Sequence, residues 1–99
     1  AYFTDKVRGA VIRLSMDGTN STFSTNVIPS ADNSKNLGSS SARWANIYSA
    51  DLHLSNEDTG GNDIDGTEGN WTIQEGEDDL YLLNNKNGKK YKFKLEEIK

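Results

Sequence analysis

His53 is the only imidazole in the chain, and it stands two residues after Asp51 in a sequence rich in serine. That trio of residue types could in principle build a Ser-His-Asp relay, but no G-x-S-x-G nucleophile elbow occurs to expose a serine beside the ring. Three copies of His53 meeting on a symmetry axis could instead bind a metal ion. The plainer alternative places His53 on the wetter face of a strand, opposite Leu52 and Leu54. A second grouping, Asn62-Asp63-Ile64-Asp65-Gly66-Thr67-Glu68, alternates carboxylates ahead of a glycine as calcium loops do. It fails as an EF-hand, because position one would be Gly61 and position twelve Thr72, so the first ligand and the bidentate glutamate are absent. A flexible acidic loop is expected there. With no cysteine, the chain has no disulfide, no thiolate metal site and no thiol nucleophile. We read it as a non-enzyme without a cofactor or a metal.

Aromatic residues offer a different chemistry, that of stacking on a sugar ring. Trp71, Tyr81 and Tyr91 are candidate receptor-binding residues on that ground. Trp44 admits the same reading, although its neighbours Ile47 and Tyr48 favour a core or inter-subunit anchor. Asn20-Ser21-Thr22 and Asn70-Trp71-Thr72 have the form of N-glycosylation sequons, which would mean nothing in a protein made inside a bacterium.

The elements that must hold these residues can be read in part. Asn87-Gly88 is a strong hairpin signal, and a two-residue type I′ loop there would place Lys86 opposite Lys89, Leu82 opposite Phe93 and Leu80 opposite Leu95. Leu80, Leu82, Tyr91, Phe93 and Leu95 then share one face, with Lys90, Lys92 and Lys94 on the other beside Tyr81 and Leu83. A turn over Gly76 to Asp79 would return the preceding strand, pairing Glu75 with Leu80, Ile73 with Leu82 and Trp71 with Asn84. The expectation is a three-stranded antiparallel meander over about Trp71 to Glu75, Leu80 to Asn84 and Lys90 to Leu95.

Upstream, Ile47 to Ser55 alternates like a strand and Thr22 to Ile28 reads as a strand ended by Pro29. Val7 to Met16 reads as a short helix followed by a strand, interrupted by Gly9. Between these, Gly38 can supply a left-handed backbone step and the following serines can cap a turn near Ser41. Trp44, Ile47 and Tyr48 lie at i, i+3 and i+4, which predicts one short helix over about Ser41 to Tyr48. Leu37, Gly38, Trp44, Ile47 and Tyr48 are the expected structural anchors.

Only 33% of the 99 residues are hydrophobic, so a lone copy would struggle to bury enough surface against its ordering entropy. The choice is between disorder and oligomerisation, and the patterned aromatics favour an oligomer with a shared core. No segment approaches the apolar length of a membrane span. The net charge of −4 hides a split, since nine carboxylates between Glu57 and Asp79 meet no Lys or Arg, after which Lys86, Lys89, Lys90, Lys92 and Lys94 cluster. The lysines alternate along a strand and can be offset by neighbouring carboxylates, so solvated, edge-protecting charge is a plainer account than a nucleic-acid groove.

The run from Asp32 through Leu37-Gly38-Ser39-Ser40-Ser41 to Arg43-Trp44 and Asn46-Ile47-Tyr48 closely resembles the "D…LGSSS.RW.NIY" motif of tailed-bacteriophage fibre proteins, especially marine, cyanophage-like ones. The resemblance covers nearly the whole chain. Tyr2 to Ala10, Leu14 to Asp17 and Thr22 to Ser24 are similar to an upstream "YFT..RVRGAI…LSYD…F.FT" segment, and Ala50 to Glu57 and Gly69 to Leu82 to the "DLHLSNE" and "NWTIQEGEDDLYL" blocks. Ile12-Arg13 departs from it, standing where a Gly/Ser-rich stretch is usual.

This resemblance implies a mainly β, homotrimeric domain from the C-terminal tip of a tail fibre, structural and adhesive in role. Segment 1–30 would be the end of the fibre shaft, 31–56 the connector and strand, 57–70 the acidic Gly-rich loop and 71–99 the C-terminal meander. Ala1 in place of an initiator Met agrees with a fragment cut from a longer fibre. The implied partners are two further copies, other virion tail proteins, and a host-cell surface glycan or outer-membrane protein, with no nucleic acid and no membrane insertion. The implied location is the virion, on the tail fibre. An architectural element of head or neck and a carbohydrate-binding module are the competing readings.

Overall fold

The computed structural model describes residues 3–5, 10–12 and 14–99, with side chains from Asp17 onward. The chain is mainly β, and no helix occurs among the described residues. It forms two compact units, Ala1–Trp44 and Ala45–Lys99.

In the first unit, β1 (Phe3–Asp5) pairs antiparallel with β2 (Ala10–Ile12), and β3 (Leu14–Met16) with β4 (Ser21–Phe23). Ala10 to Ile12 and Leu14 to Met16 are therefore strands. The remainder of the expected helix-then-strand segment, Val7 to Gly9 and Arg13, lies outside the described residues. Asp17 closes the β3–β4 turn by accepting the main-chain N–H groups of Asn20 at 2.7 Å and Thr19 at 2.9 Å. These two bonds hold its carboxyl below the usual carboxylate range. β4 stops at Phe23, short of the Ile28 expected from the sequence, and the chain bends at Ser24 and Thr25.

The predicted helix over Ser41 to Tyr48 does not form. The serines bond their own backbone instead: Ser39 N–H donates to the Ala42 carbonyl at 3.0 Å, and Ala42 N–H donates to Ser39 Oγ at 3.0 Å. An isolated helix of two turns carries a nucleation cost that so few hydrogen bonds do not offset, and local serine bonds give the backbone an alternative.

The second unit is a four-stranded antiparallel sheet in the order β5 (Leu52–Ser55), β6 (Asn70–Glu75), β7 (Leu80–Asn84), β8 (Lys90–Lys92). β6 and β7 pair in the register the Gly76–Asp79 turn predicts, with Trp71 opposite Asn84, Ile73 opposite Leu82 and Glu75 opposite Leu80. β5 adds Leu52 opposite Ile73 and Leu54 opposite Trp71. It is shorter than the expected Ile47 to Ser55 strand: the ladder ends at Leu52 although β6 continues through Gln74 and Glu75, and Asp51 bonds instead to the Ser49 hydroxyl and the Gln74 side chain.

The β7–β8 register is shifted from the expected one by two residues. Leu82 faces Tyr91 and Leu83 faces Lys90, and Phe93 N–H donates to the Leu80 carbonyl. Asn84 causes the shift. Its Oδ1 accepts the N–H groups of Lys86 at 3.0 Å and Asn87 at 3.4 Å, while Gly88 N–H donates to the Asn84 carbonyl at 2.9 Å. The loop is therefore four residues long, Asn85 to Gly88, with only Gly88 left-handed at φ 75°. A two-residue type I′ loop would need Asn87 left-handed as well. The faces are preserved, because a shift of two leaves every side chain on its original side.

Gly88 has nothing within 4 Å of where a Cβ would sit, so its replacement costs backbone conformation alone. Gly88→Val should destabilise the sheet by about 1–2 kcal/mol, the penalty for an L-residue in the left-handed region. Urea unfolding beside Lys92→Glu, expected to be near neutral on the open face, measures the difference.

Candidate functional site

Strand alternation sorts the sheet into two unlike faces. Leu52, Leu54, Trp71, Ile73, Leu80, Leu82, Tyr91 and Phe93 share the first. His53, Thr72, Gln74, Tyr81, Leu83, Lys90 and Lys92 share the second. The apolar face is uncovered: Leu52 is 52% exposed, Leu80 41% and Tyr91 46%. No hydrophobic side chain among the described residues is buried, and Thr72, at 4% exposed, is the one buried polar residue.

Thr72 is buried because polar groups surround it. Its Oγ1 lies 3.0 Å from His53 Nδ1 and accepts from Asn85 Nδ2 at 2.9 Å, and the same Asn85 amide reaches Asn70 Oδ1 at 2.9 Å. His53 therefore sits on the face opposite the apolar one, its Nδ1 engaged with a threonine. Asp51 takes its bond from Gln74 Nε2 at 3.3 Å, and Ser49 Oγ donates to the Asp51 carbonyl at 2.8 Å.

The acidic segment between β5 and β6 is a hydrogen-bonded structure rather than the flexible loop expected. Asn56 clamps its ends, accepting Gly69 N–H on Oδ1 at 2.7 Å and donating from Nδ2 to the Thr67 carbonyl at 3.2 Å. Asn62 organises its tip. Its Oδ1 accepts the N–H groups of Ile64 at 2.7 Å and Asp65 at 2.9 Å, and its Nδ2 donates to Asp65 Oδ1 at 2.8 Å. Gly61 lets the two arms of the tip touch, with φ 96° and the Gly66 carbonyl in the space a Cβ would take.

Asp65 also accepts the Thr67 hydroxyl at 2.8 Å and the Thr67 N–H at 3.1 Å. The hydroxyl, then the N–H, then the Asn62 amide hold its carboxyl below the usual carboxylate range. A carboxyl whose pKa is lowered by folding adds stability that is full above its unfolded pKa and fades as pH falls through its folded one. Acid titration should therefore loosen this tip only below the usual carboxylate range. Amide NMR shifts of Ile64 and Thr67 should follow that transition, and Asp65→Asn should remove it.

Asp63, Asp65 and Glu68 do not converge. Asp65 is used internally, Glu68 Oε2 accepts Gly60 N–H at 3.2 Å, and no group of three metal-binding side chains occurs among the described residues.

Between this loop and the β7–β8 turn lies a cleft of about 610 Å³, lined by Leu54, Asn56, Asn62, Glu68, Trp71, Asn84, Lys86 and Asn87 among others. Of the candidate receptor-binding residues, Trp71 lines it and Tyr91 packs against Trp71 with ring centroids 5.8 Å apart and planes inclined at 39°. Tyr81 is on the opposite face. Asn84, Lys86, Asn87 and Glu68 also line the cleft, a shared place that sequence reading did not give them, since it read Asn87 as a hairpin turn and Glu68 as part of a cation-like loop. The asparagine density on both sides of β6 was the available signal, since asparagine satisfies the backbone of turns.

The expected anchors lie in the connector. Gly38 is left-handed at φ 84°, and the Trp44 indole approaches it, with Cδ1 3.4 Å from where a Cβ would sit. Leu37, Trp44, Ile47 and Tyr48 are exposed in the single chain, Tyr48 at 93%.

No protein-family model, no curated protein and no solved structure matches this chain.

Proposed function

We propose that the chain is a structural and adhesive element of a tailed-phage tail fibre, assembled from three copies at the fibre tip and contacting the host surface without turnover. One observation carries this reading: a regular sheet with a continuous apolar face, in a chain whose described residues bury no hydrophobic side chain. Such a face is a liability in an isolated molecule and an asset at an interface. A fold that depends on that face being covered needs a partner present whenever the chain is, and further copies of itself meet that condition. Trp44, Ile47 and Tyr48 add exposed apolar surface that suits the same assembly. In this arrangement His53 faces outward, because it lies opposite the apolar face, and the axial-metal reading loses its geometry. The resemblance along the connector and the β5 and β6 blocks supplies the fibre and virion context, with other tail proteins above and a host glycan or outer-membrane protein below. Three tips on one shaft would present a weak site three times and gain avidity by linkage.

A carbohydrate-binding module is favoured by Trp71 and Tyr91 side by side on an open sheet, and it would be monomeric. Native mass spectrometry and light scattering separate the two. Three chain masses at micromolar concentration, with host-cell adsorption of the parent phage competed by the added protein, are the expected results. A folded single-chain mass removes the fibre reading, and a trimer that leaves adsorption unchanged turns it into a purely architectural one.

A further inference from the structure

The cleft between the acidic loop and the β7–β8 turn has the properties of a sugar site. Its volume, about 610 Å³, lies within the roughly 300–1,000 Å³ of small-molecule sites. Trp71 forms its apolar part, backed by Tyr91 and resting its Nε1 edge over Gly69. No buried side-chain polar atom lacks a partner. The Trp71 N–H, which donates to nothing among the described residues, therefore reaches the surface.

Asn56 and Asn62 spend both amide atoms on the loop, but Glu68, Asn84 and Asn87 are each held by one atom while another is left for a ligand. Glu68 Oε2 accepts Gly60 N–H at 3.2 Å, which leaves Oε1. Asn84 Oδ1 accepts Lys86 N–H at 3.0 Å and Asn87 Oδ1 accepts Lys89 N–H at 2.9 Å, so each keeps an Nδ2 donor. Lys86 Nζ donates to the Glu68 carbonyl at 3.2 Å, which joins the two walls. Side chains fixed by backbone bonds lose little freedom on binding.

An aromatic plane beside mixed donors and a carboxylate acceptor matches a pyranose, which offers a C–H face and hydroxyls that both donate and accept. The lining carries one carboxylate and one ammonium, and beyond it the four carboxylates Glu57, Asp58, Asp63 and Asp65 of the adjoining loop outnumber Lys89 and Lys90 after the turn, which leaves the approach net negative. That field repels phosphorylated and acidic sugars. We propose that this cleft binds a neutral hexose-based oligosaccharide, with Trp71 as the stacking residue and Glu68, Asn84, Lys86 and Asn87 as the hydroxyl-binding set. The proposal rests on the adhesive reading and locates its receptor contact, with further copies covering the face at Leu52, Ile73, Leu80 and Leu82 and leaving the Leu54–Trp71 end, where the cleft lies, open.

The test uses the whole chain carrying Trp44→Phe, which leaves Trp71 as the sole tryptophan. Its fluorescence is titrated with maltoheptaose, cellohexaose, chitohexaose and mannohexaose, and with oligogalacturonate as the acidic control. A saturable change with at least one neutral probe and none with the control is expected. Glu68→Gln keeps an acceptor for Gly60 N–H and should leave the melting temperature unchanged, while weakening binding about tenfold through loss of a charge-assisted hydrogen bond. Silence with all four neutral probes, equal binding of the control, or Glu68→Gln binding at wild-type strength overturns the site. Adsorption competition that survives Glu68→Gln also overturns it while leaving adhesion intact. Saturable oligosaccharide binding without any adsorption competition upholds the cleft and rejects the adhesive role.

Discussion

Leu82→Lys is expected to reduce the native mass to that of one chain and to abolish cooperative thermal unfolding at micromolar concentration. Leu82 is central on the apolar face, flanked across the strands by Ile73 on β6 and Tyr91 on β8. Burying a leucine contributes roughly 1.5–3 kcal/mol, and a threefold assembly repeats the loss three times. The lysine also brings three ammonium groups into a space that excludes water, where an unpaired charge costs several kcal/mol more. Because β-sheet parity holds its neighbours in place, the substituted side chain cannot reach the opposite face without shifting the whole strand. Lys92→Glu, on that opposite face, is the matched control and should leave the mass unchanged. A Leu82→Lys chain that keeps the wild-type mass and melting temperature would show that the apolar face is not the assembly surface.

Gly61→Ala should be the most damaging small substitution in the second unit, lowering stability by about 3 kcal/mol or more and disordering the tip of the acidic loop. Two costs add. An L-residue at φ 96° is strained, by about 1–2 kcal/mol. A Cβ there would also coincide with the backbone carbonyl of Gly66, and backbone cannot rotate aside as a flexible side chain can. Moving Gly66 breaks its N–H bond to the Asn62 carbonyl at 3.1 Å, and with it the return of Asn62 N–H to the Thr67 carbonyl at 3.0 Å. Gly60→Ala, where nothing lies within 4 Å of the added carbon, isolates the conformational part. Equal melting temperatures for the two variants would remove the clash from this account.

The apolar and polar faces of β6, β7 and β8 were legible in the sequence because period-two alternation survives a register error of two. The register of the last hairpin was not, because Asn84 competes with Asn87-Gly88 for control of the turn, and side-chain bonds to the backbone settle that competition. The connector misled for a related reason. Trp44, Ile47 and Tyr48 have helical spacing, but Ser39 captures Ala42 before a helix can nucleate. The acidic loop looked unstructured by composition, since its order comes from Asn56 and Asn62, whose two-ended amides leave no periodic trace. The link between Glu68 and Lys86 was not legible, because the two are 18 residues apart and brought together only by folding.

The order of strands in the sheet is also the order of strands in the chain. Each strand can therefore zip onto its predecessor as soon as the intervening turn closes, and no partner has to be awaited from a distant part of the sequence. Contacts so local favour rapid formation of the sheet within one chain. The cost of closing the Asn56 to Gly69 loop rises only slowly with its length. Encounter of the preformed apolar faces would then be the slow step. If the proposed assembly forms, refolding should show a fast phase indifferent to dilution and a slow phase whose rate increases with protein concentration, so that the sheet and its cleft are complete before the copies meet.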